Sequence, residues 1–295
     1  MSDNLPPEPS PSAEAGAPST VTNISGGVDL DAQRDITIGG DVIGRDKTII
    51  QTITNIFQGD TAQRNARNRR NMLELVKNTW VEGVLEKSLY HEAMLDLGLE
   101  ERPDEVQHPW DMMLQMPERE NRVLPPGTRI MQVFDEANHA LLILGEPGSG
   151  KTTMLLELAR DTIARARQDL TQPIPIVFNL SSWSDPKQSI IDWLVQELRD
   201  RYQVPKKISQ PWIDNDDLML LFDGLDEVRA ECRESCIKAI NDFRDAHGLA
   251  QLVVCSRIGD YEALTIQLKL FEAILIQPLT PQQIDQYLER GGNEL

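Results

Sequence analysis

The feature that most constrains this chain is a glycine-rich loop between an apolar run and a helix-forming run. From Gly145 to Thr152 the loop reads Gly-Glu-Pro-Gly-Ser-Gly-Lys-Thr, which fits the spacing G-x-x-x-x-G-K-[ST]. Ala140–Leu144 has the length of a buried strand, and Met154–Arg160 is rich in helix formers. Glycines let a backbone approach phosphate closely, and the start of a helix adds its positive end. The loop and its flanks therefore predict a phosphate-binding site.

Individual residues of the loop have expected roles. We expect Lys151 to reach the β- and γ-phosphates of a nucleotide and the Thr152 hydroxyl to ligate Mg²⁺. The alternative is a glycine-rich turn that holds a lysine by chance, and both flanks argue against it. The predicted nucleotide-binding positions are Gly145, Glu146, Pro147, Gly148, Ser149, Gly150, Lys151, Thr152 and Thr153.

From Ala140 onward, strand-like and helix-like segments alternate. This pattern predicts an α/β fold, a parallel five-stranded sheet with helices on both faces. A ligand should bind beyond the carboxyl ends of the strands. The five strands are expected at Ala140–Leu144, Ile174–Asn179, Leu218–Asp223, Gln251–Cys255 and Phe271–Gln277.

Three acidic residues follow one of these strands closely. Asp223 ends an apolar strand, and such an Asp holds Mg²⁺ in P-loop enzymes. Asp226 and Glu227 bring two more carboxylates to the same rim. One of them could orient the attacking water, with Asp226 the first choice and Glu227 the second. The alternative for these two is an acidic helix start, where carboxylates stabilise the helix dipole.

A second strand ends in Arg257. This arginine could contact the γ-phosphate and stabilise charge in the transition state. The alternative role is a surface ion pair with the acidic rim. No Asn-Lys-x-Asp motif that reads guanine follows the loop, so adenine is favoured. The expected ligands are therefore ATP or ADP with Mg²⁺.

Three segments together resemble the NACHT domain of STAND-type signalling NTPases: Gly145–Thr153, Asp223–Glu227 and Cys255–Arg257. In that family a small residue follows the metal-binding Asp, and further acidic residues stand two and three positions after that small residue. Phe178–Trp183 and Pro278–Thr280 look like the bacterial members. The resemblance implies a switch that is closed with ADP and assembles with ATP, in bacterial stress or phage-defence signalling.

The resemblance also implies a strand order and a missing region. Gln251–Cys255 should lie between the strands that carry Lys151 and Asp223, which would bring Arg257 over the γ-phosphate. Relatives continue into a helical module, a winged-helix domain and usually a repeat sensor. This chain is expected to contain only the first helix of that module, after Leu279. We therefore expect a fragment, or a protein that acts with a separate sensor or effector.

The predicted NTPase domain covers residues 111–290, and residues 291–295 form the predicted carboxyl-terminal end. The amino-terminal part of the chain differs from this domain in composition. Residues 1–20, rich in Pro, Ser, Ala and Glu, predict a disordered tail, and residues 21–58 predict short strands with glycine turns. Thr48–Phe57 has no charge, proline or glycine and is dense in β-branched residues. A docked hairpin is favoured, and a segment for self-association or amyloid-type signalling is the alternative.

Residues 62–110 predict a helical lead-in with one apolar stripe. Its opening run Arg64–Arg70 is basic but lacks interleaved aromatic residues. A solvated helix end, or a partner for an acidic face of the chain, is therefore favoured over a nucleic-acid patch. The stripe consists of Leu73, Val76, Trp80, Val84, Leu85, Leu89 and Met94.

Composition and charge narrow the class of protein. The chain has 29 basic and 47 acidic residues and a formal net charge of −18, which disfavours nucleic acid and anionic membranes as partners. Its apolar runs are far shorter than the roughly 20 residues that span a bilayer, and Met1–Pro18 lacks the features of a signal peptide. Three cysteines are too few for a disulfide framework. We expect a cytoplasmic protein.

Two functions fit these observations. The first is a Mg²⁺-dependent ATPase that hydrolyses ATP slowly, because its purpose is to change conformational state and not to turn over ATP rapidly. The second is an assembly module that binds ATP without significant hydrolysis and self-associates through residues 21–57.

Overall fold

The chain divides into two compact units, residues 1–52 and 53–295. The computed structural model describes residues 21–23, 28–30, 61–87, 98–106, 121–125 and 127–278. In the first unit, β1 (Val21–Asn23) pairs antiparallel with β2 (Val28–Leu30). The tail of residues 1–20 and the run at residues 48–57 lie outside the described residues, so the choice between docked hairpin and assembly segment stays a prediction.

The second unit is built on one sheet. Its strands are β3 (Leu99–Glu101), β4 (Arg122–Val123), β5 (Ala140–Gly145), β6 (Ile174–Asn179), β7 (Leu218–Asp223), β8 (Leu252–Arg257) and β9 (Glu272–Ile276). Its α-helices are α1 (Thr61–Val76), α2 (Ile130–Glu136), α3 (Lys151–Gln168), α4 (Ile190–Asp200), α5 (Lys206–Asp214), α6 (Ala230–Ala246) and α7 (Ile258–Glu262). No helix in the described ranges is both long enough and apolar enough to cross a membrane.

The sheet has the strand order β4-β3-β9-β5-β8-β7-β6. The strands β9, β5, β8, β7 and β6 are parallel, which confirms the predicted fold class and the five predicted strands. Strand β8 lies between β5 and β7, as the family resemblance implies. Two antiparallel strands, β3 and β4, extend the sheet to seven beyond β9. They have only three and two residues, too few to show an alternating pattern in the sequence.

The parallel strands form the centre of the core. All six residues of β5 are buried, and five of the six residues in each of β6, β7 and β8 are buried too. Strands that are covered on both faces need continuous apolar sequence, which is what these segments have. In β6, β7 and β8 the last residue is the less buried one, and it is polar or charged: Asn179, Asp223 and Arg257.

The lead-in helix departs from the predicted stripe at one point. After α1 the chain continues as a π-helix over Lys77–Leu85. Its hydrogen bonds join residues five apart, which widens the turn, and the buried residues Val76, Val81 and Leu85 are five and then four positions apart. Val84, predicted in the stripe, is 42% exposed, and Val81 takes the buried place. Leu89, Met94 and the helix predicted after Leu279 lie outside the described residues.

Candidate nucleotide-binding site

The glycine-rich loop connects the carboxyl end of β5 to the first turn of α3. Gly148 and Gly150 have φ angles of 76° and 95°, a left-handed conformation that favours glycine. A Cβ atom on Gly145 would lie 2.3 Å from Ser149 Oγ. The positions of Gly148 and Gly150 therefore favour glycine by backbone conformation, and a side chain at Gly145 would force Ser149 to move.

Two side chains of the loop are arranged for an anion. Lys151 Nζ donates to the carbonyl oxygens of Gly145 at 3.0 Å and Glu146 at 2.9 Å, which holds the ammonium group against the loop. Ser149 Oγ is buried and has no hydrogen-bond partner in the described part of the chain. A buried hydroxyl without a partner is unusual in a folded protein. The loop thus offers a cation and an unused hydroxyl beside the start of a helix, which fits a phosphate group.

The hydroxyl and carboxylate predicted as metal ligands are in direct contact. Thr152 Oγ1 donates to Asp223 Oδ2 at 2.8 Å, joining the start of α3 to the end of β7. Burial raises the pKa of Asp223 above its usual 3.8, and the nearby charges of Glu227 and Asp226 raise it further. A desolvated carboxylate among other carboxylates is stabilised by a cation. The two oxygens are of the type that Mg²⁺ binds, so the residues fit this ion.

Asp226 and Arg257 form an ion pair with each other. Arg257 Nε lies 2.8 Å from Asp226 Oδ2, and the backbone N–H of Arg257 donates to Asp226 Oδ1 at 3.1 Å. The Asp226 side chain is 7% exposed, whereas that of Arg257 is 49% exposed. Arg233 adds a hydrogen bond to the Asp226 carbonyl oxygen at 2.7 Å and pairs with Asp260 at 3.0 Å. Both oxygens of the Asp226 carboxylate are therefore engaged by Arg257.

Glu227 lies in a different environment. Gly224 has a φ of 73°, and a Cβ atom there would lie 2.9 Å from Glu227 Cδ, so the carboxylate packs over a glycine. Glu227 Oε2 accepts from Asn179 Nδ2 at 3.3 Å, and Asn179 Oδ1 accepts from the backbone N–H of Ser181 at 2.7 Å. Glu227 is an exposed residue. Its carboxylate can therefore meet water at the rim of the site.

Asn179 was not among the predicted site residues. It ends β6 and stands in register with Asp223 on β7. The available signal was its position, because a polar residue at the end of an apolar parallel strand falls at the same edge as the other site residues.

The remaining predicted residues meet at that edge. In register, Gly145 of β5 pairs with Arg257 of β8, and β7 follows β8 in the sheet. Three neighbouring strands thus bring together the loop, Arg257 and the acidic residues after β7. The structure joins Arg257 to Asp226 directly, a contact that was predicted only as the alternative role of the arginine.

Comparison with known protein families identifies the domain. Residues 139–293, just over half of the 295 residues, match the family model of the NACHT domain. A comparison with curated proteins finds no match.

Two solved structures are similar at low identity. The ORC1 protein of Aeropyrum pernix, in complex with DNA, has a TM-score of 0.40 and 16% identity, with 67% of this chain and 54% of that chain covered. The ORC2 protein of Aeropyrum pernix, in ADPNP–ADP complexes, has a TM-score of 0.32 and 17% identity, with 55% and 50% covered. The chain spans about half the length of these two proteins.

Proposed function

Because the chain belongs to the NACHT family of P-loop NTPases, we propose that it is a Mg²⁺-dependent ATPase of low turnover that works as a signalling switch. The observation that carries this proposal is the hydrogen bond between Thr152 and Asp223 beside Lys151. This hydrogen bond, with Lys151 held against the same loop, supports a site that combines a hydroxyl, a carboxylate and an ammonium group.

In this proposal the loop residues bind the nucleotide. Lys151 exchanges its two carbonyl partners for the β- and γ-phosphates, and the backbone N–H groups of the loop, Pro147 excepted, surround them. Thr152 and Asp223 would hold Mg²⁺, and the ion would neutralise charge on the phosphates. The absence of a guanine-reading motif after the loop supports adenine as the base.

We assign the water-orienting role to Glu227 in preference to Asp226. Asp226 is 7% exposed and engaged by Arg257 on both oxygens, so it has little access to water. Glu227 is exposed, and among the described residues its carboxylate is held by Asn179 at 3.3 Å. Its carboxylate accepts the proton of the attacking water, and Arg257 supplies a cation for the γ-phosphate.

Nucleotide binding is tested with Lys151→Ala in the full chain. Equilibrium titration with ATP and Mg²⁺ should show saturable binding to the wild type and loss of binding in the variant. Chelation of Mg²⁺ should weaken the wild-type affinity. Normal ATP affinity in Lys151→Ala would refute the proposed site.

Hydrolysis is tested with single carboxylate variants. Glu227→Gln should retain ATP binding and lose phosphate release, whereas Asp226→Asn should retain measurable release. The matched control is Glu231→Gln, an exposed acid whose ion pair with Arg229 has a separation of 3.9 Å. Phosphate release that is unchanged in Glu227→Gln would favour the second function, an assembly module that binds ATP without hydrolysing it.

The signalling role has a separate readout. We propose that ATP promotes self-association and ADP reverses it, in a cytoplasmic protein that works with a separate sensor or effector. The family resemblance supports this part of the proposal. Light scattering of the full chain with each nucleotide measures it, and an oligomeric state independent of nucleotide would contradict it.

A further inference from the structure

A second cavity lies at the edge of the sheet opposite the phosphate-binding loop. It has a volume of about 500 Å³ and is lined by residues of α1 and α5 and by Ile174 and Asp217, at the amino ends of β6 and β7. Asp217 and Asp223 are six positions apart, so the cavity and the predicted metal site are about 20 Å apart along the strand. Cavities of this size accommodate small-molecule ligands.

The lining of the cavity is basic although the chain is acidic. Arg64, Arg69 and Lys207 line it together with a single carboxylate, Asp217. Within the described ranges none of these three cations forms an ion pair. In a chain with a formal net charge of −18, a group of cations without paired carboxylates points to an anionic ligand.

Arg69 shows how incompletely this charge is compensated. Its guanidinium donates to two carbonyl oxygens, those of Ala166 at 3.3 Å and Gln172, and to no carboxylate. Burial lowers the pKa of Arg69, and the more distant charges of Asp217 and Asp169 oppose that shift. An anion at the cavity would therefore relieve an unfavourable burial of charge.

Several polar atoms at the cavity have no hydrogen-bond partner among the described residues. The Nε atoms of Arg64 and Arg69 are buried and unpartnered. Asn68, which also lines the cavity, is 2% exposed, and its Oδ1 has no partner. Buried polar groups are normally hydrogen-bonded. Turned toward the cavity, the two donors would suit phosphate oxygens, and the acceptor would suit an N–H group on the same ligand.

The remaining wall is apolar and includes an aromatic ring. Trp212 of α5 is 7% exposed, and Ile208 and Pro211 lie beside it in the lining. An indole contributes a flat surface against which a planar ring can pack. We propose that this cavity binds a small phosphate-bearing molecule with a planar, N–H-bearing ring, of the chemical class of a nucleoside monophosphate.

Such a ligand would join three parts of the domain. It would contact α1 of the lead-in, α5, and the amino ends of β6 and β7 in one site. Its occupancy would therefore favour the docking of the lead-in on the sheet. This site is independent of the phosphate-binding loop and of whether the loop hydrolyses ATP.

The experiment uses the full chain carrying Lys151→Ala, without Mg²⁺, so that the phosphate-binding loop is disabled. AMP is the probe, and adenosine and inorganic phosphate are its two parts. The readout is the change in tryptophan emission on adding AMP. We count only the part of this change that disappears when Trp212→Phe is added to the Lys151→Ala chain. We expect a saturable change with AMP and weaker effects with either part alone.

A double variant tests the cations without disturbing the fold. Arg64→Gln with Lys207→Gln should weaken AMP binding about tenfold or more, because each cation contributes a charge-assisted contact. Arg69 is left unchanged because it also bonds to main-chain carbonyls. The control is Arg70→Gln, an exposed residue of α1 that does not line the cavity, and it should leave the affinity unchanged.

Three results would overturn the proposal. The first is the absence of a Trp212-dependent change at millimolar AMP. The second is an AMP affinity that is the same in the double variant. The third is a single-stranded oligonucleotide that binds far more tightly than AMP with steep salt dependence, which would indicate a nucleic-acid surface instead. Each leaves the ATP titrations of the wild type unaffected, so failure here and failure of the proposed ATPase are distinguishable.

Discussion

The ion pair between Asp226 and Arg257 should be energetically asymmetric. Asp226 is the buried member, with 7% exposure, and Arg257 is half exposed. Replacing Arg257 with Gln leaves a buried carboxylate without its counter-charge, close to Asp223. Replacing Asp226 with Asn leaves a guanidinium that water can reach. We therefore expect Arg257→Gln to lower the free energy of unfolding more than Asp226→Asn does.

The exposures of the two side chains set the expected size. Loss of one partner of a buried pair costs about 3–5 kcal/mol, and an exposed pair is worth only about 0.2–1 kcal/mol. This pair has one member of each kind, so we expect about 2 kcal/mol for Arg257→Gln and about 1 kcal/mol or less for Asp226→Asn. The double variant should resemble Asp226→Asn, because removing the carboxylate removes the need for the arginine.

Urea unfolding of the full chain without nucleotide measures these differences. Fluorescence and circular dichroism should give coincident transitions before free energies are compared. Lys269→Gln is the control, since its pair with Asp245 has side-chain exposures of 31% and 57%, and should cost under about 1 kcal/mol. Equal costs for the two single variants, or strict additivity in the double variant, would refute the reasoning.

Three further substitutions test other parts of the structure. Gly145→Ala places a methyl group 2.3 Å from Ser149 Oγ, so the affinity for ATP with Mg²⁺ should fall about tenfold or more, whereas Gly248→Ala, with nothing within 4 Å, should leave it unchanged in the same titration. Tyr202→Phe removes a buried hydroxyl that donates to the Val177 carbonyl oxygen and accepts from Trp80 Nε1. It should lower the free energy of unfolding by about 1–3 kcal/mol in urea. Burial, with Glu227 and Asp226 adding to it, raises the pKa of Asp223 above 3.8, so its ionisation opposes folding. Wild-type stability should therefore fall relative to Asp223→Asn as the pH rises through the raised pKa, which unfolding curves between about pH 4 and pH 8 will show.

Much of the candidate site could be predicted because its signals are local. The loop from Gly145 to Thr152 lies between one strand and one helix, so its spacing and its flanks are contiguous in the sequence. The parallel strands are buried on both faces and therefore read as unbroken apolar runs. Asp223 and Arg257 end such runs, which brings them to the edge where the loop lies.

The parts that escaped prediction depend on tertiary packing. Helix α5 contains Pro211, which argues against a helix when only the sequence is considered. The π-helix after Val76 changes the spacing of buried residues by hydrogen bonding rather than by composition. The basic run Arg64–Arg70 lacked an aromatic neighbour in sequence, yet the fold supplies Trp212 and Lys207 from α5. Neither of these two residues carries a local signal for such a cavity.

The pairing of Arg257 bears on how the proposed switch would operate. Two acceptors compete for the Arg257 guanidinium. One is the Asp226 carboxylate, which it contacts at 2.8 Å, and the other is the γ-phosphate of the proposed mechanism. Any phosphate that draws it away leaves Asp226 buried beside Asp223 and Glu227, three carboxylates that repel one another. A cation at Asp223 lowers that cost, so binding of the metal with the nucleotide and release of Arg257 favour each other. This coupling predicts that Asp226→Asn reduces the Mg²⁺ dependence of ATP affinity, measured as the ratio of dissociation constants with and without the ion. An unchanged ratio would mean that Arg257 stays with Asp226 when nucleotide binds.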